Sequence, residues 1–470
     1  MLGSVSVYHY KLRVMADKPL IEKIAEAPAT ALDVGIQKTE HMAASLQNQK
    51  QVAKTREYWH ALGPGLTTGA SDDDPSGIAT YSQTGAKYGY QLLWLAVFTF
   101  PLMAIVQEMC ARLGLVTGRG LAGNIRRHFS RRVLYACTLL LFTANSFNIG
   151  ADLGAMAKAT QLIWPSWNFG FLVFAFAFFT IGMMIFTPYV KYAKYLKWLA
   201  LALFTYVVTA FLADIDWGEL LAAAVTPTLQ WNKDQLLLVA AIFGTTISPY
   251  LFFWQTSQEV ENEIEDGKTN LHLRHGTDPE ALSKMRFDVW NGMLLSNLVM
   301  FFIIATCAAV LFKNGITEIN TAADAAAALE PLAGEAAKFL FAIGIIGTGL
   351  LALPVLAGSA SYAVSESFGW RRSGLHRNLR QARPFYGVIM ISIFVGLAIN
   401  FLGIDPIKAL IYSAVINALV APVVLALIVL LSSNKKLMGE WANGVFTRVA
   451  GWLVVGLMSL VGLAAIISFF

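Results

Sequence analysis

The chain has 470 residues, 56% of them hydrophobic and 14% charged, with 35 basic against 30 acidic residues and a net charge of +5. A soluble domain carries about 25% charged residues, so this composition excludes an ordinary soluble protein and marks a membrane protein. The basic residues sit in short connections between apolar runs, which fits membrane topology and not nucleic-acid binding, and Cys110, Cys137 and Cys307 lie inside apolar runs at no metal-ligand spacing, which excludes a disulfide framework or a thiolate metal centre.

Residues 1–57, rich in Ala, Lys, Glu and Gln, have no basic segment followed by an apolar core, so no cleaved signal peptide is expected and the segment reads as a cytosolic tail. Apolar runs then predict eleven transmembrane helices, near 60–88, 90–113, 133–160, 169–188, 193–213, 234–262, 286–312, 336–367, 385–402, 406–431 and 445–469. The expected fold class is an all-α membrane protein.

Alternate connections differ in charge. Arg112, Arg119, Arg126, Arg127, Arg131 and Arg132 fall in one, Lys191, Lys194 and Lys197 in a second, and Arg371, Arg372, Arg377, Arg380 and Arg383 in a third; the connections between them are acidic or neutral, with Asp214, Asp216 and Glu219, or Glu318, Asp324, Glu330 and Glu335. Cytosolic loops carry the positive excess, so the N-terminus is expected in the cytosol and, after an odd number of spans, the C-terminus outside.

Two spans are interrupted alike. The first contains "GASDDDPSG" at 69–77 and the sixth "FGTTISPY" at 243–250, each with a Gly/Thr cluster followed by proline near mid-span. Such paired breaks at corresponding positions of two halves point to an inverted-repeat transporter with its site at the bilayer midplane. Residues 58–213 would form one repeat of five spans, 234–431 the second, and 445–470 an additional helix. Proline removes a backbone donor and glycine weakens the helix, so the chain should unwind there, with Gly69, Gly77 and Gly244 as hinges. Unwound backbone at membrane depth must be buried in protein or line a watery cavity, and its carbonyls are then available to a cation. Three carboxylates facing lipid would each cost about 2.5–3.5 kcal/mol, so they must face an ion or an aqueous path. The plainer alternative is an exposed Asp-rich loop that caps the following helix at Ser76 or Gly77.

These stretches, with "QEMCARLGLVTGRGLAGNIRRHF" between them, resemble the Nramp superfamily of divalent-metal transporters over roughly residues 58–470. The family carries Asp-Pro-Gly-Asn in its first span and Met-Pro-His in its sixth. The resemblance implies a LeuT-type 5+5 inverted repeat with broken helices 1 and 6, and a metal site at Asp74, Gly77, Ser248 and the carbonyls of Ala70 and Thr245. The departures concern the ligands: the asparagine is Gly77, the methionine Ser248 and the histidine Tyr250. Without the soft thioether, the remaining carboxylate, hydroxyl and carbonyl donors suit Mg2+ or Mn2+, with Mg2+ retaining several waters. In this the chain resembles the Nramp-related magnesium transporters, which implies import of Mg2+ and Mn2+ without obligate proton coupling. The metal is then substrate, and no cofactor is expected. None of the seven histidines lies in the middle of a predicted span, which points the same way.

The ion pathway is expected to include Asp72 and Asp73, at its mouth or against the ion's hydration shell, together with Asn148, Asp152, Tyr250, Gln255 and Asn417. Asn145, Asn148 and Asp152 share one helical face, where the asparagines serve equally well as interhelical bonds. The family's next acidic position on that span is Ala155, and its tenth-span glutamine falls at Ala414. Glu259 and Asn262 read as solvated, and Glu108 and Glu366 as partners of nearby arginines. Rival functions are a proton-coupled Mn2+/Fe2+ carrier, a sodium-coupled solute carrier, which three aspartates beside the site disfavour, and an intramembrane aspartyl protease, for which the Gly-x-Gly-Asp pattern is missing. No phosphate-cradling Gly-rich motif is present.

Overall fold

The computed structural model describes residues 63–187, 203–370 and 372–468. Lys191, Lys194, Lys197, Arg371 and the N-terminal tail lie outside them. Among the described residues every regular element is helical, as expected where lipid leaves backbone groups no other partner.

The first span is split into α1 (Pro64–Asp72) and α2 (Pro75–Tyr88). It is followed by α3 (Trp94–Thr117), the short α4 (Leu121–His128), α5 (Arg131–Ile163), α6 (Phe169–Phe186), α7 (Phe204–Leu212) and α8 (Trp217–Val225). The second interrupted span gives α9 (Lys233–Thr246) and α10 (Pro249–Glu265), and then come α11 (Pro279–Val310), α12 (Ala337–Phe368), α13 (Arg383–Ile399), α14 (Pro406–Ser432) and α15 (Val445–Ser468). Proline opens α1, α2 and α10 at the first helical position, where its missing N–H costs nothing.

Eight of these are long and apolar enough to cross a membrane: α3, α5, α6, α9 with α10 as one run, α11 with the turn after it, α12, α14 and α15. Helix α13 is apolar but shorter, α1 and α2 are separated by the break, and α7 is the described end of the fifth predicted span.

The interrupted elements occupy the centre. In the apolar window of α9–α10, 89% of residues are buried, against 33% for α6 and 39% for α15 at the periphery. Close approach there depends on two of the glycines expected as hinges. A Cβ on Gly244 would run into the Ala414 carbonyl of α14, and one on Gly69 into the Gly292 carbonyl of α11. Both glycines lie within helices, so the hinge expectation is corrected: the breaks fall at Asp73 (φ −80°, ψ 54°) and Ile247 (φ −114°, ψ 58°), and Gly69 and Gly244 serve packing. Arg112 is also reassigned. It belongs to α3 and not to a loop, is buried, and bonds Asn443 on the connection before α15 while lying 3.8 Å from Glu108.

Candidate metal-ion site

Asp74 stands between the two halves of the first span. Because Pro75 cannot continue α1, the backbone at Asp74 is extended (φ −71°, ψ 171°) and its carboxylate folds over the first turn of α2 as the N-cap. Oδ1 accepts from the Gly77 amide at 2.8 Å and the Ser76 hydroxyl at 2.6 Å, while Oδ2 accepts from Asn148 Nδ2 on α5 at 3.0 Å. The capping reading of the Asp-rich stretch therefore holds and the exposed-loop part of it does not: Asp74 is 2% exposed.

The three consecutive aspartates have different partners. Asp72 ends α1 and accepts the Ser296 hydroxyl of α11 on Oδ2 at 2.6 Å, leaving Oδ1 without a partner among the described residues. Asp73 lies at the junction, 3.5 Å from the same hydroxyl. Both are buried in this conformation and neither forms a mouth. Around them, Asp152, Tyr250 and Tyr81 lie within electrostatic reach of Asp72 or Asp74. Asp152 is one turn from Asn148 on α5, fully buried, and neither of its oxygens has a hydrogen-bond partner among the described residues. A buried carboxylate so placed is available to a cation, to its water shell or to a proton. The two asparagines of this face divide: Asn148 reaches Asp74, whereas Asn145 donates to the Leu356 carbonyl and Ser359 hydroxyl of α12, each at 2.8 Å, as an interhelical bond.

The second break closes on the first. The Tyr250 hydroxyl donates to the Ser71 carbonyl at 3.2 Å, and Thr245 Oγ1 shares a hydrogen bond with Tyr81 Oη at 3.2 Å. Helix termini leave their last carbonyls without intrahelical partners, which is why the ends of α1 and α9 can offer oxygen at all. Ala70 lies in that last turn of α1. At the end of α9, the buried Ser248 hydroxyl points back to the carbonyls of Gly244 (2.6 Å) and Thr245 (2.7 Å), so its proton is directed away and its lone pairs remain for a cation. A Cβ at Gly77 would lie 3.3 Å from the Tyr81 ring and 3.5 Å from the Asp72 carbonyl, so glycine lets both pack closely here, and it supplies no side-chain oxygen of the kind a family asparagine would. Among the described residues no three of His, Cys, Asp and Glu form a metal cage; the polar groups at the two breaks are carboxylates, hydroxyls and the carbonyls of helix ends.

Gln255 lies farther along α10, bridging Thr68 of α1 (2.5 Å) to Glu259 (2.9 Å). Glu259 is buried, so its solvated reading is corrected. Glu108 does pair with arginine, accepting Arg286 Nε at 3.0 Å, whereas Glu366 accepts the Gly123 amide at 2.8 Å. Asn417 is buried with both amide atoms unpartnered among the described residues, and Ala414 abuts Gly244 through its backbone. The residues missed by sequence reasoning are Tyr81, Ser296 and Asp288; the last had a signal, an ionisable side chain inside an apolar run.

Comparison with known proteins bears on the family and the fold. The family model described as natural resistance-associated macrophage protein-like, Nramp, matches residues 65–468. Two proteins named divalent metal cation transporter MntH, from two Klebsiella pneumoniae strains, are 27% identical over 422 residues, covering 88% of this chain and 96% of each relative. Among solved structures, a manganese transporter of Eremococcus coleocola superposes with a TM-score of 0.68 at 20% identity, covering 86% of this chain and 85% of that one. Mhp1, a nucleobase-cation-symport-1 family transporter, gives a TM-score of 0.52 at 14% identity over 87% and 91% of the two chains. At those identities the structural likeness concerns the fold alone. The match from residue 65 to 468 carries the family: the chain belongs to the Nramp family.

Proposed function

We propose that this protein carries divalent metal cations, Mg2+ and Mn2+, across the cell membrane by alternating access, without obligate proton coupling. The observation that carries this reading is the buried Asp74 carboxylate at the break of one interrupted helix, tied to the break of the other through Tyr250 and Tyr81. Asp74 supplies the charge; the carbonyls of Ala70 and Thr245, the Ser248 hydroxyl and waters complete the ion's shell, with Asn148 and Asp152 beside it. Every donor is hard oxygen, which favours Mg2+ and Mn2+ over softer transition metals. Gly77 offers no side-chain donor where the family has asparagine, which leaves that part of the shell to water and suits an ion that keeps part of its hydration shell, as Mg2+ does.

The same reading takes the architecture as eleven spans, with spans one to five and six to ten as inverted repeats, the N-terminus in the cytosol and the C-terminus outside. The apolar helices, the two matched breaks and the likeness to Mhp1 and the manganese transporter support it. Alternating access moves the half-helices of the two breaks against the other spans. Inward flow follows from the membrane potential, since each charge gains about 2.3 kcal/mol per 100 mV.

A second reading, a proton-coupled Mn2+ carrier, is favoured by the names of the relatives and by Asp152, a buried carboxylate with no hydrogen-bond partner among the described residues, as a carrier of the proton. Influx into proteoliposomes with lumenal pH recorded in the same vesicles separates the two. Mg2+ entry with flat pH supports the proposal; exclusion of Mg2+, with Mn2+ entering alongside protons, supports the second reading.

A further inference from the structure

Helix α1 is gripped along its whole length by one stripe of α11. Asp288, Gly292 and Ser296 recur every four residues and so stack on one face. Asp288 is 3% exposed, and its Oδ1 accepts the amides of Gly63 (2.7 Å) and Leu66 (3.2 Å) while Oδ2 accepts that of Gly65 (2.6 Å). A helix leaves four amides unsatisfied at its amino end. Here one of the four belongs to Pro64, which has no N–H, so a single carboxylate from another helix satisfies all that remain. One turn along, Gly292 lies against the backbones of Gly65, Leu66 and Gly69. A further turn along, Ser296 holds Asp72.

We propose that Asp288 is the latch of the cytosolic gate: a positioning residue that holds α1 closed on α11, and whose release lets α1 swing aside and open the path from Asp74 to the cytosol. The proposal rests on the alternating-access reading above. Three bonds to one ionised group at the positive end of a helix are individually strong, and they break together when that group moves. The break at Asp73 is the pivot. The nine residues of α1 make a lever of about 13 Å, so a rotation of about 20° carries its amino end about 5 Å, far enough to part every Asp288 bond. The Ser296 contact lies at the pivot and barely moves. Thr68, bonded to Gln255 of α10, is the second tie across the gate.

The test is the accessibility of a reporter thiol, Ser71→Cys, on the buried face of α1, in a chain whose buried Cys110, Cys137 and Cys307 are replaced by alanine. A charged, membrane-impermeant thiol reagent is applied from either face of oriented vesicles. Asp288→Asn, which keeps the shape and one acceptor oxygen, should raise the labelling rate about tenfold or more from the cytosolic face only, as expected for loss of charged hydrogen bonds. Ser296→Ala should leave the rate unchanged, and Asp288→Glu should restore slow labelling in part. Unchanged labelling in Asp288→Asn, or an equal rise from both faces in a protein still monodisperse in detergent, overturns the latch. Because the readout is labelling and not transport, cytosolic acceleration in a protein whose labelling ignores saturating Mg2+ and Mn2+ would support the latch while removing the transport reading.

Discussion

Replacing Asp74 by asparagine separates the helix capping that the structure shows for this residue from the metal binding proposed for it. As an N-cap, asparagine is about as good as aspartate, and its carbonyl oxygen can still accept from Ser76 and Gly77. Its amide nitrogen would then face the Asn148 amide nitrogen, but Asn148 Oδ1 has no partner among the described residues, so a flip of Asn148 restores the hydrogen bond. The fold should therefore persist, with Tm in detergent shifted by no more than about 2 °C. The charge, by contrast, is lost. Two unit charges 4 Å apart at an effective dielectric of about 20 attract by about 4 kcal/mol, so a divalent ion gains about 8 kcal/mol before it gives up water. If dehydration offsets two thirds of this, about 3 kcal/mol remains, or about 100-fold in Kd. Calorimetric titration of Mg2+ and Mn2+, with influx into proteoliposomes, measures it. An Asp74→Asn protein that binds and imports either ion with an apparent affinity within about threefold of wild type would show that the metal does not rest on Asp74.

Three further outcomes are expected. Ser248→Met puts a thioether at the end of α9 in place of the hydroxyl that faces the Gly244 and Thr245 carbonyls; competition of Mn2+ uptake by Cd2+ should strengthen about tenfold while Mg2+ uptake falls. Gly244→Ala drives a methyl into the Ala414 carbonyl and should cost about 1–3 kcal/mol, read as a lower Tm, whereas Gly182→Ala, where nothing lies within 4 Å, should be neutral or stabilising. Glu108→Ala removes the acceptor of Arg286 and Trp290 and leaves the buried Arg112 without its nearby carboxylate; a loss of about 3 kcal/mol is expected in detergent unfolding, with Glu108→Gln milder.

What the sequence reveals here follows the range of the forces involved. The helices of the apolar runs are legible because lipid imposes length and hydropathy locally, and both breaks are legible because proline acts on its own backbone. Helices α4 and α8, eight and nine residues long, lie below any such window and pass as loops. Burial is less legible at the ends of runs: Glu259 and Arg112 look like residues leaving the membrane, yet each meets polar groups from distant parts of the chain, Glu259 through Gln255 to Thr68, and Arg112 at Asn443. Asp288 and Ser296 act on residues more than 220 positions away, a relation that no local pattern carries.

The aspartate triplet shows why the distinction matters for function. In the sequence, Asp72, Asp73 and Asp74 are three equal charges. A helix break sends successive side chains in different directions, so Asp72, still in α1, turns to Ser296, while Asp74, opening α2, turns to Asn148 and its own first turn. One charge is thereby committed to a contact with α11 at the inner end of α1. The other is fixed at the start of the opposite half and linked to a neighbouring span, so a movement of α1 about Asp73 would leave it at the junction, which is what the proposed cation site, served in turn from both sides, requires.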